Sequence, residues 1–309
     1  MPAFRVRSVV VSALAGAIVA GGSLIAAAPA VAVQNSTEGS APSAITSMWA
    51  WGNPIDPATD ARGLGQPQFE PAALVAFAQE HHLRSVYLSV PWAANQGAFA
   101  TWLPEAVAAL HDAGISVSAL GGDSGWTTQP SLAAQWVTDA LSTAPFDAVQ
   151  FDVEPWAGIP NPDLATIVPQ YAAMLDAART AAGDVPIGAD LPWWLAAHPV
   201  GDGTAFDALL PHLQSVAIVA FSDHAAGSDG IIALAEPAAQ AAATAAVPFT
   251  IGVETDTPAA AGGAQYTFGD DSPVALETET ALVRSHFSTT AGYGGVTVEH
   301  LLAWQTLLG

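Results

Sequence analysis

Asp152 and Glu154 stand two residues apart in D-A-V-Q-F-D-V-E-P-W, which occupies 147–156. Val149, Phe151 and Val153 alternate there with Gln150, Asp152 and Glu154, the period of a β-strand. One face of this strand is apolar, and the other carries an amide and two carboxylates. Pro155, with no N–H to donate, ends it. Carboxylates at the end of an apolar strand are costly to desolvate unless they are paired or used. Glu254 lies near the end of a second apolar stretch, F-T-I-G-V-E-T at 249–255. Two such carboxyls can flank a scissile glycosidic bond, one raised in pKa to donate a proton and one kept ionised. In that division Glu154 is the general acid and then base, desolvated by Pro155 and Trp156, and Glu254 is the nucleophile.

These residues need a scaffold that brings strand ends together. From Ile45 onward, strand-like and helix-like stretches alternate. Strands are expected at 47–51, 85–90, 115–120, within 147–156, and at 185–191, 215–221, 249–255 and 294–300. Helices are expected near 71–82, 99–113, 131–143, 163–182, 206–212, 230–246, 273–288 and 301–308. Eight strand–helix units in about 250 residues predict an α/β chain folded as a single (β/α)8 TIM barrel. A doubly wound open sheet would alternate in the same way, but no strand is followed by its dinucleotide or P-loop glycine signature. The barrel domain is placed at 45–309, after a signal peptide at 1–32 and a flexible lead-in at 33–44. Arg5 and Arg7 give the signal its positive start, an apolar run follows, and Ala30-Val31-Ala32 offers the cleavage site.

Catalytic groups of such barrels sit at the carboxyl ends of the strands. The first two predicted strands lead into Trp49, Trp51 and Trp92, and the third into Asp123 and Trp126. The fourth gives Asp152, Glu154 and Trp156, and the fifth Asp190, Trp193 and Trp194. The last three give Asp223 and His224, Glu254 and Asp256, and Glu299 and His300. Seven of the ten tryptophans and a ring of acids are thus expected on one face. Flat apolar rings with a polar N–H suit sugars. Asp152, Glu154 and Glu254 are therefore the expected catalytic residues. Trp49, Trp51, Trp92, Asp123, Trp126, Trp156, Asp190, Trp193, Asp223 and His300 are the expected substrate-binding set. Asp123 and Asp190 also read as helix N-caps.

Composition narrows the chemistry further. Among 309 residues there is no cysteine, which removes disulfides and thiolate nucleophiles, and no lysine, which removes Schiff-base catalysis. Six arginines face 28 acids, and a formal charge of −22 argues against nucleic acid and anionic membrane surfaces as partners. Few cations remain to clamp an anionic substrate. The expected partner is a neutral or weakly charged glycan, met outside the cell by a monomer that needs no cofactor or metal. No H-x-H follows the first strand and no G-x-S-x-G occurs, so metal amidohydrolase and serine hydrolase patterns are missing.

The 147–154 motif is similar to the D-x-x-D-x-D-x-E strand of family 18 chitinases. Asp147, Asp152 and Glu154 match, and Gln150 replaces the second acid. The resemblance implies Glu154 as the acid and Asp152 as support for attack by the substrate's own N-acetyl group. Phe221-Ser222-Asp223 stands where those enzymes carry a tyrosine–aspartate pair, and Val298-Glu299-His300 where they carry a tryptophan. Acids after the fourth and seventh strands also resemble the clan of retaining glycosidases, which implies Glu254 as nucleophile. G-V-E-T at 252–255, with Y-T-F-G-D at 266–270, looks like uncharacterised glycosidase-like barrels of exported bacterial proteins. The alternative from another class is a carbohydrate-binding barrel without catalysis, which would use the same tryptophans.

Overall fold

The computed structural model describes residues 44–309. The signal peptide expected at 1–32, and all but the last residue of the lead-in expected at 33–44, lie outside the described residues. The strands are β1 Ile45–Ala50, β2 Ser85–Ser89, β3 Ser116–Gly121, β4 Ala148–Phe151, β5 Ile187–Pro192, β6 Pro199–Val200, β7 Gly203–Thr204, β8 Ser215–Val219, β9 Phe249–Glu254 and β10 Tyr293–Glu299. Eight of them close in the order β1-β10-β9-β8-β5-β4-β3-β2, and β6 and β7 form a separate antiparallel hairpin. Each barrel pair is parallel. The fold is the expected single (β/α)8 barrel.

Helices return the chain between the strands: α1 Pro71–Glu80, α2 Phe99–Asp112, α3 Pro130–Thr143, α4 Leu164–Ala182, α5 Ala205–Leu209, α6 Ile231–Thr244, α7 Pro258–Ala261, α8 Pro273–Phe287 and α9 Leu301–Leu308. Pro71, Pro130 and Pro273 open α1, α3 and α8, where a missing N–H leaves no hydrogen bond unmade. Asp163 and Ser272 cap the backbone N–H groups of Thr166 and Ala275 at 3.3 and 3.2 Å. Thr204 and Asp207 form a capping box at the start of α5. The helix expected near 206–212 is only Ala205–Leu209 followed by a 3-10 turn, because Pro211 has no N–H to continue the ladder.

Closure buries both faces of the strands. Val149, Phe151, Ile251 and Val253 point outward beneath the helices, within the main core. Residues of the other parity fill the barrel. Trp49 packs there with Leu120 and Ala217. A Cβ at Gly252 would come within 2.8 Å of the Trp49 ring, so glycine leaves the space the indole takes. The barrel also holds a hydroxyl chain: Ser47 and Thr297 lie 2.5 Å apart, and Thr297 donates to Thr250 at 2.8 Å. Each of these side chains satisfies another, which makes a polar barrel interior affordable.

Candidate active site

β4 ends at Phe151, earlier than the alternation predicts. The Asp152 N–H still bonds to the Gly121 carbonyl at 3.0 Å, but pairing with β5 stops at Phe151 and Ala189. A turn then follows, with Ala157 N–H bonded to the Glu154 carbonyl at 3.1 Å. Gly122 makes this exit possible, since a Cβ there would stand 1.7 Å from the Asp152 carbonyl oxygen. Asp152 is 5% exposed, whereas Glu154 and Pro155 are half-buried. The sequence thus delivers one buried and one accessible carboxyl to the carboxyl end of the barrel.

Behind them lies Asp190 on β5, with both oxygens engaged. Trp49 Nε1 donates to Oδ2 at 3.0 Å and Gln150 Nε2 donates to Oδ1 at 2.7 Å. Gly188 clears the path for Gln150, whose Oε1 a Cβ would meet at 2.4 Å. Asp190 is therefore an anchor inside the barrel and caps no helix. Tyr171, from α4, is wholly buried, with its ring against Trp156 at 5.8 Å. Its hydroxyl is buried beside the Val153 backbone. Burial first, then the charges of Asp152, Asp190 and Glu154, hold its pKa well above that of an ordinary tyrosine.

Glu254, at the end of β9, is in register with Glu299 of β10. It is 6% exposed, and its Oε1 accepts from the N–H groups of Thr255 and Asp256, each at 2.7 Å. Burial pushes its pKa up to about 7, and the neighbouring Asp256 charge adds to the rise. The two N–H bonds and His300 pull the other way without cancelling it. His300 Nε2 lies 3.4 Å from Asp256 Oδ2. The loop beyond is fixed by Phe268 N–H on the Glu254 carbonyl at 2.9 Å and Thr267 Oγ1 on the Asp256 carbonyl at 2.5 Å.

The expected aromatic platform divides by burial. Trp49, at 0% exposure, presents no face to a ligand. Trp126 packs on Trp136 at 5.4 Å, and Trp156 sits between Tyr171 and Trp194. Trp126 and Trp156 went inward because the helices round the barrel offered apolar surroundings, and Trp49 because Asp190 takes its N–H inside the barrel. Trp51 and Trp193 are half-buried, and Trp92 is 46% exposed. Asp123 accepts from Gly125 N–H at 2.7 Å and caps a 3-10 turn, as its second reading expected. Asp223 bonds His224 Nδ1 at 2.5 Å and raises its pKa, with Asp229 helping from the other ring nitrogen.

Sequence reasoning missed Tyr171, which falls in the apolar stripe Leu164, Val168, Tyr171, Leu175 of α4 and reads as core. It also missed the anchoring role of Gln150, although its place in the motif marked it. Among the described residues, no three of His, Asp and Glu are grouped to hold a metal ion, and no helix is long and apolar enough to cross a membrane.

No protein-family model matches the chain, and no curated protein does. Solved structures do match in fold. A GH18 chitinase from Pseudoalteromonas aurantia aligns at 12% identity with TM-score 0.53, covering 83% of this chain and 94% of the other. The glycoside hydrolase domain of PgaB (BpsB) from Bordetella bronchiseptica aligns at 11% identity with TM-score 0.53, covering 85% and 99%. A putative deoxyribose-phosphate aldolase from Toxoplasma gondii aligns at 14% identity with TM-score 0.51, covering 86% and 93%. At these identities the likeness is one of fold.

Proposed function

We propose that the chain is an exported glycoside hydrolase in which Glu154 gives its proton to the leaving oxygen. The observation that carries this reading is the end of β4, where an accessible Glu154 follows a buried Asp152 at the carboxyl mouth of the barrel. Fold likeness reaches both glycosidases and an aldolase, so the residues must choose between them. Schiff-base chemistry needs a lysine amine, and the chain has none. Two carboxyls with different environments are what glycoside hydrolysis uses.

Asp152 suits the second role better than Glu254. A nucleophilic carboxylate must be ionised, with an oxygen free to reach the anomeric carbon. Glu254 is buried, spends Oε1 on two backbone N–H groups and is held near a pKa of about 7. In the favoured course the 2-acetamido oxygen of the sugar attacks the anomeric carbon while Glu154 protonates the leaving oxygen. Asp152 holds the acetamido N–H, and Glu154, now a base, takes a proton from the water that opens the ring so formed. The substrate is then a glycan of N-acetylhexosamine. A neutral glycan also fits the cation inventory. Arg84 and Arg179 bond the carbonyls of Gly294 and Pro211, residues that lie before or at the amino ends of strands. Arg62, on the loop after β1, spends its donors on its own chain.

The test is release of reducing ends from a panel of N-acetylglucosamine, glucosamine and glucose oligomers by the mature chain, Glu154→Gln and Glu254→Gln. Cleavage of the N-acetylglucosamine oligomers, lowered about 10²–10⁴-fold in Glu154→Gln and little changed in Glu254→Gln, is expected. Binding without turnover in the parent chain would favour the carbohydrate-binding barrel instead.

A further inference from the structure

Trp92 lies on the loop after β2, at the same end of the barrel as Glu154, and is the tryptophan left exposed among the described residues. An indole left in water at the mouth of a well-packed barrel calls for a reason, and the loop that carries it is firmly held. Arg62, on the loop after β1, donates Nη1 to the carbonyls of Trp92 and Ala93 at 2.7 and 2.6 Å, and Nη2 to that of Gln96 at 2.8 Å. Asp60 locks the guanidinium in a two-point grip, taking Nε at 2.9 Å and Nη2 at 2.6 Å. The guanidinium carbon also sits 4.7 Å from the centre of the Phe99 ring, at the start of α2.

The loop is shaped to accept this brace. Gly97, at φ +63, leaves room for the Asp60 carboxylate, which a Cβ would meet at 2.4 Å. Ala93, with φ +52, takes a backbone conformation that an alanine rarely adopts, directly after the indole. Asn95 Nδ2 pins the far side of the loop to Asp139 of α3 at 3.0 Å. Three elements thus fix one short loop, and its largest apolar side chain still faces water. Such an arrangement fixes in advance the backbone that carries the indole, so a ligand bound there does not bear the entropy of ordering the loop.

We propose that Trp92 is an outlying sugar platform and that Arg62 is the positioning residue that holds it. The ligand is one pyranose ring of an oligosaccharide, its C–H face laid on the indole, two strands round the barrel from Glu154. The inference rests on the proposed action on glycans for the class of ligand, and it adds that the site takes an extended chain. Arg62 does not meet the sugar. Its role is to set the height and angle of the Trp92 backbone through three carbonyls.

The test uses the full mature chain carrying Glu154→Gln, so that binding is read without turnover. Tryptophan fluorescence and calorimetry follow titration with hexamers and dimers of N-acetylglucosamine, glucosamine and glucose. At least one hexamer binds, and Trp92→Ala weakens it about tenfold, with a smaller loss for the matching dimer. Trp92→Phe restores most of the affinity, and Arg62→Leu weakens the hexamer as Trp92→Ala does. Should Arg62→Leu fail to fold, Asp60→Asn decides, with an intermediate loss expected. Failure of every hexamer to bind, equal hexamer affinity in Trp92→Ala, or parent-like affinity in a folded Arg62→Leu or in Asp60→Asn would overturn the proposal. Unchanged hexamer affinity in Trp92→Ala, with the chain that keeps Glu154 still hydrolysing that hexamer, would sink this inference and leave the proposed function standing. Trp92-dependent binding of a hexamer that the chain with Glu154 intact does not hydrolyse would do the reverse.

Discussion

Replacing Glu254 with Gln keeps the shape of the side chain and an acceptor oxygen for the Thr255 and Asp256 N–H groups, while removing the charge. The structure holds this carboxyl at about 7, against 4.5 for the free side chain. Between those values the folded chain keeps a proton that the unfolded chain has released. Its contribution to stability is therefore complete below pH 4.5 and is lost as pH rises through 7. The gap corresponds to about 3 kcal/mol over the window. Urea unfolding of the parent and Glu254→Gln at pH 5, 6, 7 and 8 reads this group together with the Asp256 and His300 charges beside it, because titrations elsewhere cancel in the difference. The Gln variant is expected to gain on the parent by about 1.4 kcal/mol per pH unit from pH 5 towards 7 and to level off by pH 8. Two curves that run parallel over that range would refute the assignment of a buried, proton-holding Glu254, and with it the physical reason for preferring Asp152.

Three further outcomes follow from contacts near the site. Gly252→Ala drives a methyl against the Trp49 ring, 2.8 Å away, and is expected to cost about 1–3 kcal/mol in denaturant unfolding. Gly122→Ala places a Cβ 1.7 Å from the Asp152 carbonyl oxygen, so the end of β4 must move. A shift of about 1 Å there should lower kcat about 10²-fold beyond any loss of stability, read on purified folded protein. Asp60 is held at about 2 by Arg62, below its ordinary 3.8, so its ion pair supports the fold above 3.8 and is lost as pH falls towards 2. Asp60→Asn should flatten the fall in Tm that the parent shows between those two values.

The barrel was legible because its strands keep period 2 and stand between helix-like runs, which hydrophobic patterning reports directly. Boundaries slipped where pairing, and not pattern, decides them. β4 stops at Phe151 because pairing with β5 ends there, although Val153 and Glu154 continue the alternation. The hairpin of β6 and β7 went unseen, since two-residue strands carry no period. At the site, residue types marked the acids but could not say which way each tryptophan turns. Trp49 and Trp92 look alike in sequence, each at a strand end, yet one bonds Asp190 inside the barrel and the other faces water. Tyr171 was hidden because a tyrosine in a helical apolar stripe packs its ring like any core residue, while its hydroxyl position depends on the neighbouring strand. Glu254 read as a nucleophile from its place after β9. Its occupied oxygen follows from the turn at Thr255 and Asp256, which no residue pattern announces.

Proton donation by Glu154 is tested most directly by how its loss depends on the leaving group. The parent and Glu154→Gln are compared on an N-acetylglucosamine oligomer and on a 2,4-dinitrophenyl glycoside of the same sugar, whose leaving oxygen needs no proton. A fall of about 10²–10⁴-fold on the oligomer, with a far smaller fall on the dinitrophenyl glycoside, is the predicted result. Equal losses on both substrates, or undiminished cleavage of the oligomer by Glu154→Gln, would contradict it.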